Sequence, residues 1–500
     1  MHTSGKNTYW YYYHGFGPRV HRDVYYNEIW SRNSGRAVMT LLLAGRTDKA
    51  AAAIDNLNGY LDYWKTSGLT FGKEPVRGHF TVCPNNPLYY STFLVPRANW
   101  PTNFTRERFG EEFANLGNLE TDGHGLIMMA TYLVWRCLNK DGNWLRERFA
   151  HIREAAEFLV WQMDREDLTF SRNGLLYGET EATLSLETKI ITGYTLYANI
   201  PCLLGLKLYA EMAESYGDAD LAKKWRLYAA KLEKAIDGQL SRDGEWFDFG
   251  FYHDPVVTMF FDIAGNDVCT LLPESWYARS RKTYPKDVNS YVKDTFYGPR
   301  GTGYDHNMIA QNAMLLDETA DAEKYVCNLV KVCFAPRQPD AFIAPEAFTV
   351  RPNEKIRREG DLGNLVQQAE TIKTLCMAAG LGMQTGERIT LAPRLPQGWK
   401  VSYSGVPLAG AFSENGAQTI LSGTAERGNT QAAARLRFQD LPTNCRMSFR
   451  AGPFPSDTEK VKASVNGRPA PARVYRSGDA AWAVVDVPSE KEMDISVQTL

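Results

Sequence analysis

The chain has little that would tie it to a metal, a membrane or a polyanion. Its eight cysteines, at 83, 137, 202, 269, 327, 333, 376 and 445, form no C-x-x-C pair, which excludes the common zinc and dithiol motifs. Several fall inside apolar helical patterns and are expected as free, buried thiols. The eight histidines make no H-x-x-x-H or H-E-x-x-H pair, so neither a metal site nor another cofactor is expected. Lys and Arg number 56 against 58 Asp and Glu, and a net charge of −2 offers no field to attract nucleic acid or anionic lipid. There is no run of about 18 apolar residues and no charged-then-apolar leader. As it stands the sequence is expected in the cytoplasm, or in the periplasm or outside the cell if an upstream segment has been removed.

What is abundant is aromatic. Twelve Trp, 26 Tyr and 23 Phe make 12% of the chain, with a dense run at Tyr9–Tyr13 and again at Tyr25, Tyr26 and Trp30. Sugar rings present apolar C–H faces that stack on such side chains, with hydroxyls that need polar groups at the rim.

Helical periodicity runs over residues 29–44 and 47–64. After a long Gly/Pro/Asn-rich connection it resumes over 123–138, 144–163, 188–215, 221–240, 307–317, 322–333 and 362–379. Helices that are apolar nearly all round alternate with amphipathic ones. That is what a double ring of helices needs, the inner set covered on both sides and the outer on one. From about Arg388 short alternating runs broken by Gly, Asn and Pro replace the helices. Val465-Asn466-Gly467 is a hairpin signal. The chain is therefore read as mainly α: a double-layered helical barrel over residues 1–384, with a small C-terminal antiparallel β-sandwich over 385–500.

Loops at the ends of inner helices are where chemistry is commonly placed, and acidic residues fall there. Residues 344–370, APEAFTVRPNEKIRREGDLGNLVQQAE, set Glu346 in what reads as a loop, with Asp361 placed to cap a helix opening at Leu362. Glu179 and Glu181 stand together in LLYGETEA. Glu120 and Asp122 precede the helix from Gly123, with Asp122 in a capping position, and His124 stands at its start. Asp305 and His306 precede the helix from Asn307. The segment IWSRNSGR contributes Trp30, Arg32, Asn33 and Arg36; Arg36 lies one turn after Arg32 and is expected to pack or form an ion pair inside the barrel. Breaking a glycosidic bond takes two carboxyl groups, one protonated to donate to the leaving oxygen and one ionised.

These segments, in this order, resemble the six-hairpin (α/α)6 glycoside hydrolases, nearest in pattern to the glucoamylase-like group and its bacterial relatives. IWSRNSGR resembles the Trp-x-Arg-Asp segment that holds hydroxyls of the terminal sugar. LETDGHGL resembles the Gln-x-Asp-x-x-Gly segment opening an inner helix. LLYGETEA resembles the stretch of the general acid, and IAPEAF with GDLGNLVQQAETIKTL the stretch of the general base. The resemblance spans residues 1–380. It implies an exo-acting, inverting glycosidase acting on an oligo- or polysaccharide, with Glu179 as acid and Glu346 as base. It places Trp30, Arg32, Asn33, Asp122, His124, Glu181 and Asp305 around the substrate. Asn33 stands where the family has Asp, and Tyr177-Gly178 replaces the family's aromatic residue, so the choice between Glu179 and Glu181 stays open. Two other readings fit the same residues: a glycoside phosphorylase, and a carbohydrate-binding protein on an inactive hydrolase scaffold.

Overall fold

The computed structural model describes residues 30–66, 70–71, 74–75, 78–80, 121–165, 171–172, 174–176, 196–246, 271–293, 300–334, 345–350, 356–362, 365–384 and 387–500. The helices are α1 (Ser31–Leu43), α2 (Thr47–Thr66), α3 (Thr121–Cys137), α4 (Gly142–Asp164), α5 (Leu196–Tyr216), α6 (Ala219–Gln239), α7 (Glu274–Lys293), α8 (Gly303–Leu316), α9 (Thr319–Phe334) and α10 (Leu365–Ala378). Two-residue strands form β1–β2 (Thr70–Phe71, Glu74–Pro75), β3–β4 (Ser171–Arg172, Leu175–Leu176) and β5–β6 (Ser241–Arg242, Glu245–Trp246). These small hairpins follow α2, α4 and α6, so among the described residues the same helix–helix–hairpin unit occurs three times.

Helices α5, α3, α1, α10 and α8 pack side by side in that order and form the described part of an inner ring. Nearly every residue of α3 and α5 is buried, whereas α4 and α6 bury one stripe. The hydrophobic period alone sorts them into inner and outer layers. The inner helices approach closely through glycine. A Cβ on Gly123 would stand 2.2 Å from Ser31 Oγ, and one on Gly125 would stand 2.4 Å from the Cys202 amide nitrogen. The pair flanking His124 thus presses α3 against α1 on one side and against α5 on the other.

Three corrections concern the chain around the expected acidic loops. The stretch expected as a loop around Glu346 is a hairpin, β8 (Pro345–Val350) and β9 (Ile356–Leu362), joined at its edge by β7 (Arg300–Thr302). Phe348, Thr349, Val350 and Ile356 supply the β-favouring residues that the neighbouring Arg and Pro obscure. Asp361 lies within β9, and the helix opens at Leu365 rather than Leu362. Asp122, Asp305 and His306 lie inside the first turns of α3 and α8 rather than ahead of them.

Strands β10 (Arg388–Leu391), β14 (Arg446–Phe454), β18 (Ala480–Pro488) and β17 (Ala472–Ser477) make one sheet. The facing sheet holds β11 (Lys400–Phe412), β12 (Gln418–Arg427), β13 (Gln431–Gln439), β19 (Glu492–Thr499), β15 (Val461–Val465) and β16 (Arg468–Ala470), in that order. Pairing is antiparallel except for β10 on β14. Their inner faces share one apolar core, including Leu391, Leu421, Phe438, Met447, Phe449 and Ile495, as a sandwich requires. Between β15 and β16, Asn466 (φ 50°) and Gly467 (φ 74°) take the left-handed conformations of a tight hairpin.

The sandwich closes one end of the helices. At the C-terminal end of α1, a Cβ on Gly45 would meet Pro407 at 1.9 Å, and near the end of α3, Arg136 donates to the Gln384 carbonyl at 2.8 Å. Arg450 of β14 pairs with Asp317 after α8 at 2.7 Å, and its guanidinium lies 3.7 Å from the Trp482 ring. Asp479 accepts from the Thr319 amide at 3.0 Å and so caps α9. Helices α1, α3 and α8 therefore begin at the opposite end.

Candidate active site

Helix α1 begins at Ser31, with extended Trp30 (φ −97°, ψ 125°) as its first flanking residue. Arg32 is therefore in the first turn, and Arg36 one turn further on the same side. Gly35 lets α3 approach, since a Cβ there would stand 2.9 Å from the Leu126 backbone. This contact brings the first turns of α1 and α3 together. Asp122 then receives Arg32 in a two-pronged pair, Nε to Oδ2 at 2.5 Å and Nη2 to Oδ1 at 3.1 Å. Arg32 is 4% exposed and Asp122 0%. At that depth the paired guanidinium is a rigid, planar set of donors rather than a swinging surface charge.

From α5, Tyr197 comes between the two arginines. Its ring lies 5.1 Å from the Arg32 guanidinium carbon and 5.6 Å from that of Arg36, and its hydroxyl accepts from Arg36 Nη2 at 2.7 Å. Arg36 also pairs with Glu370 of α10, Nη1 to Oε1 at 2.8 Å, the ion pair inside the barrel that its position suggests. Gln311 of α8 donates to the other Glu370 oxygen at 2.8 Å and to Thr374 Oγ1 at 2.9 Å. Burial pushes the Glu370 carboxyl up. The charges of Arg36 and Lys373, with the hydrogen bonds from Gln311 and Arg36, outweigh it and hold the group below its usual value. Five inner helices thus share one buried polar chain.

His124 is oriented differently. Its Nδ1 accepts from the Phe80 amide at 3.1 Å, and its Nε2 faces the Ala155 carbonyl at 2.9 Å. Both nitrogens are occupied by backbone, and burial lowers its pKa to about 4. Asn33 is half-buried on α1. Asp305 is in the first turn of α8, directly after β7. Glu346 lies on β8 where the register slips between the Pro345–Leu362 and Ala347–Glu359 pairs; such bulges recur beside functional sites. Ala347 pairs with Thr302, so the sheet sets Glu346 and the start of α8 close along one backbone framework. Glu179 and Glu181 lie outside the described residues.

The structure brings Arg32 and Asp122 together, with Trp30 and Asn33 flanking Arg32 on the chain. It also adds Tyr197, Glu370 and Gln311, which sequence reasoning missed. Only Glu370 left a signal, and a weak one: charged and amide side chains at helical spacing (Gln367, Gln368, Glu370, Lys373) in a helix needed for the inner ring.

The chain matches no protein-family model and no curated protein sequence. Among solved structures it is similar to the alpha-L-rhamnosidase from Dictyoglumus thermophilum, with a TM-score of 0.55 at 11% identity over 95% of this chain. The overlap spans only 46% of that enzyme. The fold is that of the (α/α)6 glycosidases. Weaker likenesses are to the rhamnosidase from Aspergillus terreus (TM-score 0.47, 12% identity, 94% of this chain and 45% of that one) and to a bacterial glucoamylase complexed with acarbose (0.39, 14%, 70% and 49%).

Proposed function

We propose that the protein is a glycoside hydrolase that removes sugar units from the end of an oligo- or polysaccharide with inversion. The observation that carries this reading is the buried Arg32–Asp122 pair joining the first turns of two neighbouring helices of an (α/α)6 ring. A guanidinium held on two sides presents donors of fixed direction, which is what recognition of ring hydroxyls demands. In this reading Arg32, Asn33 and Trp30 hold the terminal sugar, with Asp305 taking part from the first turn of α8, two helices round the ring from α1. Glu346 serves as the base that activates water, and Glu179, or its neighbour Glu181, protonates the leaving oxygen. Inversion requires about 6.5–9.5 Å between the two carboxyl groups to admit that water. His124 has a supporting part, fixing α3 to α4 from beneath Asp122. The division into residues 1–384 and 385–500 belongs to the same proposal, with the sandwich bracing the far end. The likeness to the Dictyoglumus thermophilum rhamnosidase supports a carbohydrate substrate. No helix among the described residues is long and apolar enough to cross a membrane.

The test is product release from a panel of oligosaccharides and aryl glycosides, neutral and uronic, for wild type, Glu346→Gln, Glu179→Gln and Glu181→Gln. Loss of turnover by at least about a thousand-fold in Glu346→Gln and in one of the other two is expected. Full activity in both Glu346→Gln and Glu179→Gln would rule the assignment out. Turnover that depends on phosphate would make the enzyme a phosphorylase. Sugar binding without any turnover would leave a binding protein.

A further inference from the structure

The polar chain across the inner ring is more than the fold needs. Buried ion pairs add little net stability compared with apolar packing of similar volume, and Val38, Met39 and Leu42 show that α1 packs with ordinary apolar contacts elsewhere. What such a chain does supply is fixed geometry. Gln311 holds Glu370, Glu370 holds one nitrogen of Arg36, and Arg36 holds the Tyr197 hydroxyl with another. The Arg32 guanidinium carbon lies over the Tyr197 ring, 5.1 Å from its centroid. Asp122 fixes the edge of that guanidinium, and Tyr197 fixes its face.

We infer that Glu370, Arg36 and Tyr197 form a positioning chain that sets the plane of the Arg32 guanidinium and thereby the fit of the terminal sugar. The inference rests on the reading of the Arg32 end as the sugar site. None of the three touches the reacting atoms; they act through Arg32. Four constraints converge on the plane: Asp122 Oδ1, Asp122 Oδ2, the Tyr197 face and, through it, the Arg36–Glu370 pair. Removing the Tyr197 hydroxyl frees the ring to tilt while leaving its apolar volume in place.

The test uses Tyr197→Phe and Glu370→Gln in the full chain, with two readouts. The first is the Arg32 Nε–H resonance in protein labelled at arginine nitrogen, identified by its loss in Arg32→Lys. The second is KM and kcat on whichever glycoside the wild type cleaves. The Arg32 resonance is expected to shift in both variants, with KM raised about ten-fold in Tyr197→Phe and kcat changed far less. An unmoved resonance in Tyr197→Phe, with only a lower melting temperature, would overturn the inference. So would a moved resonance with KM unchanged. If Glu370→Gln does not fold, Tyr197→Phe decides alone, because it removes a single oxygen. If the wild type cleaves no glycoside, the resonance still decides whether the chain sets Arg32, and only the hydrolase reading falls.

Discussion

Arg450 and Asp317 join the sandwich to the ring of helices through a buried pair, 2.7 Å from Nη2 to Oδ2. Asp317 adopts a left-handed conformation (φ 61°), which Asn tolerates well, and the Arg450 guanidinium lies over the Trp482 ring. Stripping one partner leaves an uncompensated charge in the seam. Arg450→Met is expected to cost about 3–5 kcal/mol in urea unfolding. The double variant with Asp317→Asn should recover part of that loss. An additive result would mean that the pair does not couple the two parts.

The glycine contacts give an opposed pair of outcomes. Gly123→Ala forces a methyl to 2.2 Å from Ser31 Oγ and 2.8 Å from the Arg32 amide, and should destabilise by about 1–3 kcal/mol. Gly59 is exposed on α2, and a methyl added there would have nothing within 4 Å. Gly59→Ala should stabilise by about 0.5–1 kcal/mol through helix propensity. Thermal melts of the two variants check both signs.

Acid should weaken the fold in a defined window. His124 and His306 are buried, and burial lowers each pKa from 6.5 to about 4. The unfolded chain therefore binds more protons than the native one between those values. Stability is full above about pH 6.5 and falls as the pH drops toward 4, by about 2 kcal/mol per histidine at pH 5. His306 donates to the Tyr325 carbonyl at 2.8 Å, so Gln is a reasonable replacement there. Urea unfolding at pH 7 and pH 5 should show the drop, and His124→Gln or His306→Gln should make it shallower. Glu370 has its own, lower window: a depressed carboxyl withdraws its stabilisation only as the pH falls below the ordinary carboxylate range.

Asp122→Asn keeps the shape of the site but removes the charge that fixes Arg32. It should lower stability by about 3 kcal/mol and weaken binding of any sugar the wild type binds by at least about ten-fold. Calorimetric titration at a temperature where both proteins are folded separates the two effects.

Much of the architecture can be read from periodicity because burial on all sides leaves its mark on the residues themselves. Helix α3 is apolar nearly throughout, and α6 shows one stripe. The Asn466-Gly467 turn is legible because few residue pairs accept two left-handed conformations. Glu346 reads as a loop residue because β7, the strand that stabilises its hairpin, lies more than 40 residues earlier and cannot be sensed locally. Arg36 is recognisable as structural by its place one turn from Arg32. Tyr197 is 161 residues from Arg36, and nothing in its own neighbourhood tells a core tyrosine from one that carries two arginines.

The cap on α9 carries a consequence for how the molecule is made. Its carboxylate, Asp479, lies 160 residues beyond the helix it caps. During synthesis from the N-terminus, every described helix of the ring has left the ribosome before that cap is translated. The seam is thus a late checkpoint, and truncation before residue 479 leaves the start of α9 without the group that finishes it.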